Sequence, residues 1–238
     1  MKILVLDIGG TSIKIIATGH RNPIQIPSGP GMTAARMVKE VKRATAGWRY
    51  DAVSIGYPGP VRNGRPAREP WNLGGGWTRL DFRRAFGKPV RIANDAAMQA
   101  LGSYRGGRML FLGLGTGLGS ALVTDGVLVP LELAHLPYRD ELTYEDFVGV
   151  RGRDRLGQKR WARHVANVVA LFRGALLADY VVLGGGLVMR LQKLPPGARR
   201  GRNTNAFAGG FRLWRAPRPA GRRHAVGRAH SRRIGPAA

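Results

Sequence analysis

The stretches DIGGTSIK (Asp7–Lys14) and LGTGLGSA (Leu114–Ala121) decide how this chain folds, because they are two versions of one element. Each follows a short apolar run of strand-forming residues, residues 3–6 in the first case and 109–112 in the second, and each turns on glycines beside a hydroxyl. Strand, glycine turn and returning strand read as a hairpin in both places. Each hairpin opens a half of similar layout. In the first half, Ala34, Met37, Val38, Val41 and Ala44 recur at helical spacing behind Thr33, a candidate N-cap, and Gly47 ends that helix. A strand at 52–56, a Gly/Pro-rich excursion to Gly76, a short helix at 80–86, a strand at 90–92 and a helix at 96–104 follow. In the second half the hairpin ends near Val129, and a basic stretch from Arg151 leads into a long helix with an apolar stripe of Trp161, Val165, Val168, Val169, Phe172, Leu176 and Leu177. A buried strand at 180–183, the triplet Gly184, Gly185 and Gly186, a further helix and an amphipathic segment at 205–214 complete it. The expectation is an α/β chain of two lobes, 1–105 and 106–214, facing each other across a central cleft, with the last helix packing back on the first lobe. The basic tail 215–238 has no apolar period and is expected to be disordered.

The glycines point to anions. Neither hairpin matches GxxxxGK[ST] or opens a helix as GxGxxG. What remains is a turn without side-chain bulk, where successive backbone N–H groups can surround phosphate oxygens. Glycines that only make tight hairpins are the plain alternative for either motif alone. Two of them, each with hydroxyls (Thr11 and Ser12; Thr116 and Ser120), favour phosphate. Gly9, Gly10, Gly115 and Gly117 are the candidate backbone donors. Asp7 ends its strand beside the first turn, where a carboxylate can hold Mg2+ or its waters. Lys14 stands where its ammonium can reach a phosphoryl donor, or can equally be a solvated strand residue.

Composition narrows the classes. The 238 residues include no cysteine, which excludes disulfides, thiolate zinc sites and cysteine nucleophiles and makes a reducing cytoplasm the expected setting. No stretch approaches the ~20 apolar residues of a membrane span, so neither export nor membrane insertion is expected. Against 14 acidic residues stand 39 basic ones, giving +25. Arginine outnumbers lysine 32 to 7, and seven arginines follow Trp214, so residues 1–214 carry 32 basic against 14 acidic side chains, or +18. Such a charge calls for a polyanionic partner unless it is compositional bias.

At this point the residues resemble the ROK group of the sugar kinase and actin superfamily, over nearly the whole chain up to Trp214. Its elements occur in order: DIGGTSIK, SIGYPGPV (Ser54–Val61), WNLGGGW (Trp71–Trp77), ANDA (Ala93–Ala96), GLGTGLGSA, ELAH (Glu132–His135) and VVLGGG (Val181–Gly186). Within the group the chain is most similar to the short polyphosphate glucokinases, through the second hairpin and DGVLVP (Asp125–Pro130). The resemblance implies two ribonuclease-H-like lobes of the actin/hexokinase type. It also implies transfer of a phosphoryl group from polyphosphate or ATP, with Mg2+, to the 6-hydroxyl of glucose or a related hexose. Asp95 would be the general base. Asn94, Glu132 and His135 would bind sugar hydroxyls, with Asn72 and Gly59 helping to line the pocket, and Gly184 to Gly186 would lie along the donor. An Asn-Asp pair capping the following helix is the plain alternative for Asn94 and Asp95, and a satisfied core histidine is that for His135.

The chain departs from the group at Ala134, where a glycine is usual, and in lacking the cysteine-rich zinc motif together with the second sugar-binding glutamate it carries. No zinc is expected, and Glu145 is a candidate to replace that glutamate. Two other classes compete. A regulatory sugar-binding protein without activity is disfavoured by Asp95 and by the lack of a DNA-reading helix-turn-helix ahead of the first hairpin. Nucleic-acid binding through Arg151, Arg153, Arg155, Lys159, Arg160 and Arg163 is disfavoured because no reading motif and no interleaved aromatics accompany them. A homodimer is implied by the resemblance alone.

Overall fold

The structure is a computed structural model that describes residues 1–202 and 204–215. The expected tail, but for its first residue, therefore lies outside the described residues. The first half forms β1 (Ile3–Ile8), β2 (Ser12–Ala17), β3 (Ile24–Pro27), α1 (Ala34–Ala44), β4 (Ala52–Tyr57), a small β5 (Val61–Arg62) and β6 (Arg65–Pro66) hairpin, α2 (Phe82–Phe86), β7 (Val90–Asn94) and α3 (Asp95–Ser103). The second forms β8 (Arg108–Leu114), β9 (Leu118–Thr124), β10 (Val127–Leu131), β11 (Pro137–Arg139), β12 (Leu142–Thr143), α4 (Tyr144–Val148), α5 (Val150–Ala175), β13 (Tyr180–Gly184), β14 (Ala198–Arg200) and α6 (Asn205–Arg212).

The two halves repeat one sheet. The first has order β3-β2-β1-β4-β7 and the second β10-β9-β8-β13-β14. In each, three antiparallel strands that include the glycine hairpin continue into two parallel strands. The register pairs Asp7 with Lys14 across the first hairpin and Gly113 with Gly119 across the second. The central parallel strands are the most buried, β4 at all six positions and β13 at all but its first, as strands covered on both faces must be.

Helices α1 and α5 cover the outer faces, with Trp77 and Trp161 fully buried in the two cores. Between the sheets the helices exchange partners. Helix α3, from the first half, packs Ala96, Ala97, Ala100 and Leu101 on Met109, Phe111, Ala121 and Val123 of the second sheet. Helix α6, from the second half, packs Ala206 and Phe207 on Ile3, Val5 and Ile16 of the first. The two helices touch backbone to backbone: a methyl group on Gly102 would collide with the Asn205 carbonyl, and one on Gly209 with the Met98 carbonyl. Polar ties fix the crossing. Ser54 in β4 donates its hydroxyl to the Gly210 carbonyl (2.7 Å) and accepts from the Trp214 indole (2.8 Å). Arg212 donates to the carbonyls of Leu101, Gly102 and Tyr104, the open end of α3.

Four local expectations change. The helix after Gly186 is only a five-residue 3-10 turn, Gly186–Arg190, since Pro195 and Pro196 follow closely and cannot continue a helix. The long helix begins at Val150 and is broken at Gly157, whose φ of 74° is non-helical. The Gly/Pro-rich excursion holds the β5–β6 hairpin, turning on Asn63 and Gly64, both at positive φ. Edge strand β14 carries Arg199 and Arg200 and shows no apolar alternation from which to infer it.

Candidate active site

The site begins where α3 meets the second hairpin. Gly119 lies bare beneath Ala96: an added methyl there would stand 2.6 Å from the alanine methyl. The alternating glycines thus leave room for a helix start, and that start carries Asn94 and Asp95. Asn94 takes the capping role, its Oδ1 accepting from the N–H groups of Ala96 (3.0 Å) and Ala97 (3.3 Å) while its Nδ2 donates to the Gly59 carbonyl (3.0 Å). Asp95 accepts a single bond of 2.7 Å from Ala96 N–H, which leaves most of its carboxylate available. Capping and an open carboxylate coexist by falling on neighbouring residues.

A cleft of about 530 Å³ opens there. It brings together Asp95, Asn94, Glu132, His135, Asn72 and Gly59 with Gly9 and Gly10 of the first hairpin and Gly115, Thr116 and Gly117 of the second. Each turn is braced by one internal bond, Gly9 N–H donating to the Ser12 carbonyl (2.9 Å) and Gly115 N–H to the Gly117 carbonyl (3.1 Å). Neither brace uses the N–H groups of Gly10, Thr11, Thr116 or Gly117, which donate to no acceptor among the described residues. Two turns with spare donors at one cleft have the chemistry to cradle an anion.

Other expected residues stand back from it. Thr11 and Ser12 are at the first turn but do not line the cleft, and Lys14 lies on β2 opposite Asp7. Of the glycine triplet only Gly185 lines the cleft. Gly184 is packed beneath the Phe111 ring, so it serves the core instead of a ligand, and Gly186 begins the 3-10 turn.

Burial sets the electrostatics. Desolvation raises the Asp95 carboxyl to about 6; the nearby charges of Asp7 and Glu132 push the same way, against the bond from Ala96. Asp7 is also raised by burial, and Lys14 opposes this. The Asp7 side chain has no hydrogen-bond partner among the described residues, and no group of three or more His, Cys, Asp or Glu suited to a metal occurs among them. Hard carboxylate oxygens of this kind, without a closed ligand cage, fit Mg2+, which keeps waters and takes one or two carboxylates together with substrate phosphates.

The Glu132–His135 segment is held from behind. The N–H groups of Glu145 and Tyr144, at the start of α4, donate to the carbonyls of Ala134 (3.1 Å) and Leu136 (3.2 Å). This brings Glu145 into the cleft against Gly117, with its carboxylate 3.8 Å from His135 Nδ1 and 3.1 Å from Arg151. His135 is exposed at the rim and is not a core histidine. The Ala134 methyl joins the core beneath the second sheet. The basic run that opens α5 is partly tied down: Arg151 pairs with Glu145 and Asp146, Arg153 with Asp154, and Arg155 lies over the Phe147 ring. Lys159, Arg160 and Arg163 meet no carboxylate among the described residues.

No family model matches the chain. It is 28% identical over 211 residues to a polyphosphate glucokinase of Mycobacterium tuberculosis, covering 82% of this chain and 76% of that protein. Among solved structures it is similar to the inorganic polyphosphate/ATP-glucomannokinase of an Arthrobacter species, with TM-score 0.73, 23% identity, and 88% and 96% of the two chains covered. The chain has the fold of the ROK sugar kinases. A ROK family glucokinase from Streptomyces griseus, solved with glucose and AMPPNP, superposes with TM-score 0.71 at 18% identity over 90% of this chain and 99% of that one.

Within this ROK fold two cleft residues escaped the sequence reading. Gln99 lies one helical turn after Asp95, and its buried Oε1 has no partner, alone in this among the described side chains. Helical spacing from Asp95 is the signal that could have found it. Trp71 stands at the mouth, 95% exposed, whereas the other four tryptophans are buried or half-buried. It was visible only as the first letter of WNLGGGW.

Proposed function

We propose that the protein is a hexokinase that transfers a phosphoryl group from polyphosphate or ATP to the 6-hydroxyl of glucose or a closely related hexose. The observation that carries this reading is one cleft in which an open carboxylate at a helix start faces two glycine turns with unspent N–H groups. The resemblance to a polyphosphate glucokinase along most of the chain supports the substrate pair.

In this reading Asn94, Glu132 and His135 hold the sugar so that its 6-hydroxyl meets Asp95, which takes the proton as the oxygen attacks the terminal phosphorus. A carboxylate that titrates near 6 is ionised at neutral pH yet basic enough to share a proton in the transition state. The Gly10, Thr116 and Gly117 amides hold the phosphoryl oxygens without reorganising as charge develops. Asp7 would hold Mg2+, directly or through water, and the ion when bound neutralises charge on the donor phosphates. Glu145 supplies the second carboxylate on the sugar side and orients His135. Closure of the lobes would exclude water, a competing acceptor.

The test is a product assay. Purified protein with glucose, Mg2+ and either donor is expected to form glucose 6-phosphate, and omission of the divalent ion is expected to stop it. Donor hydrolysis without any sugar phosphate would rule the proposal out.

A further inference from the structure

Behind the sugar-binding residues the cleft does not end. A second chamber of about 840 Å³ continues past them, and Asn94, Glu132 and His135 line both spaces. Asp95 lines only the first. The three residues expected to hold a hexose thus form a partition, with the proposed base on one side and the chamber on the other. A hexose with its 6-hydroxyl at Asp95 and its other hydroxyls on the partition turns the far edge of its ring, carbons 1 to 3 with the anomeric carbon among them, toward the chamber.

The chamber wall carries two cations among largely apolar residues. Arg62, on the β5–β6 hairpin, and Arg68, which follows it, both line the space, and neither guanidinium meets a carboxylate among the described residues. Arg68 is held from its backbone, its carbonyl accepting a 2.6 Å bond from the buried Tyr57 hydroxyl. The hairpin that carries Arg62 is fixed by the Asn63-Gly64 turn. Two guanidiniums lining one chamber, without a carboxylate partner among the described residues, suit a phosphate group, which arginine binds with charge-assisted, frequently bidentate bonds. Glu132, on the partition, repels such an anion, so its entry depends on the arginines.

We infer that the chamber is a subsite for an anionic group on the anomeric carbon of the acceptor, so that the protein phosphorylates a hexose 1-phosphate to the 1,6-bisphosphate. The inference rests on the sugar-kinase reading above. In the step, the O6–P bond forms as the bond from the donor's terminal phosphorus to its bridging oxygen breaks. The O6 proton passes to Asp95, and ADP or a polyphosphate one unit shorter leaves. The phosphate at carbon 1 is unchanged.

The experiment compares α-D-glucose 1-phosphate with glucose, in wild type and in the double variant R62A/R68A, by product analysis and by calorimetric binding without donor. The expected result is glucose 1,6-bisphosphate as a product of the wild type. The double variant should raise KM and Kd for glucose 1-phosphate about tenfold or more, in line with losing charge-assisted bonds, with less than about a twofold change for glucose. Glucose phosphorylated without any bisphosphate would overturn the subsite and leave the kinase reading standing, as would equal losses for both sugars in the variant. If neither sugar is phosphorylated, the kinase reading fails, and the binding arm decides the subsite: tight, arginine-dependent capture of glucose 1-phosphate supports it, and none overturns it.

Discussion

Asp95, the proposed base, is placed where its ionised form costs stability. Burial pushes its carboxyl up from 3.8 to about 6. The folded state therefore binds that proton more tightly than the unfolded chain, and stability falls as pH rises from about 4 to about 6. Once the group is ionised the cost is on the order of 3 kcal/mol. Asp95→Asn is accordingly expected to gain about 2 kcal/mol in urea unfolding at pH 7.5 and nothing at pH 3.5. No gain at neutral pH would show that the carboxylate is not in a charge-opposing site. For activity the sign is reversed, because a base works ionised: kcat/KM should rise with pH through an acid limb near 6 and then level. Glu132 adds to the raised value, so Glu132→Gln should move that limb to lower pH besides raising the KM for glucose. A limb that stays in place under this change would argue that another group sets it.

Among the elements, the crossing of α3 and α6 positions the site most. Asp95 is the first residue of α3, and α3 is seated by the second sheet on one side and by α6 on the other. Gly209→Ala places a methyl against the Met98 carbonyl, where only backbone could yield. Overpacking of this kind costs about 3 kcal/mol, and activity should fall with it because α3 must shift. Thermal unfolding and glucose KM measured together check this; an unchanged Tm would mean that the helices are not in backbone contact. The glycine hairpins, α1 and the apolar strands were legible because turn chemistry and periodicity are local. The exchange of α3 and α6 between sheets was only partly so. Return of the last helix was anticipated, but the seating of α3 on the second sheet depends on Gly119 and Ala96 meeting, 23 residues apart, and no period encodes that. Glu145 in the cleft likewise follows from hydrogen bonds between α4 and the Ala134 segment, and Gln99 from a missing partner that only a structure reveals.

At the scale of the whole molecule, the net charge of +18 before the tail gains a definite place. Part of the basic run on α5 is neutralised by Glu145, Asp146 and Asp154, while Lys159, Arg160 and Arg163 of the same run meet no carboxylate among the described residues. A long polyanion that displaces counterions from such a surface binds with a strong dependence on salt. The KM for long-chain polyphosphate is therefore expected to rise roughly tenfold or more between about 50 and 200 mM salt, with a much smaller change for ATP, which carries fewer charges. Equal salt responses for the two donors would remove the charge from the account of donor binding. The repeated sheet supports the same picture: two copies of one glycine hairpin, one from each lobe, reach a common cleft from opposite sides.

The most direct measurement is glucose phosphorylation by Asp95→Asn beside calorimetric glucose binding by the same protein. General-base catalysis contributes about 10²- to 10⁴-fold. The account predicts a fall in kcat of at least about a hundredfold with either donor, while the variant stays folded and binds glucose within about threefold of wild type. A variant that binds glucose normally and keeps its turnover would contradict it.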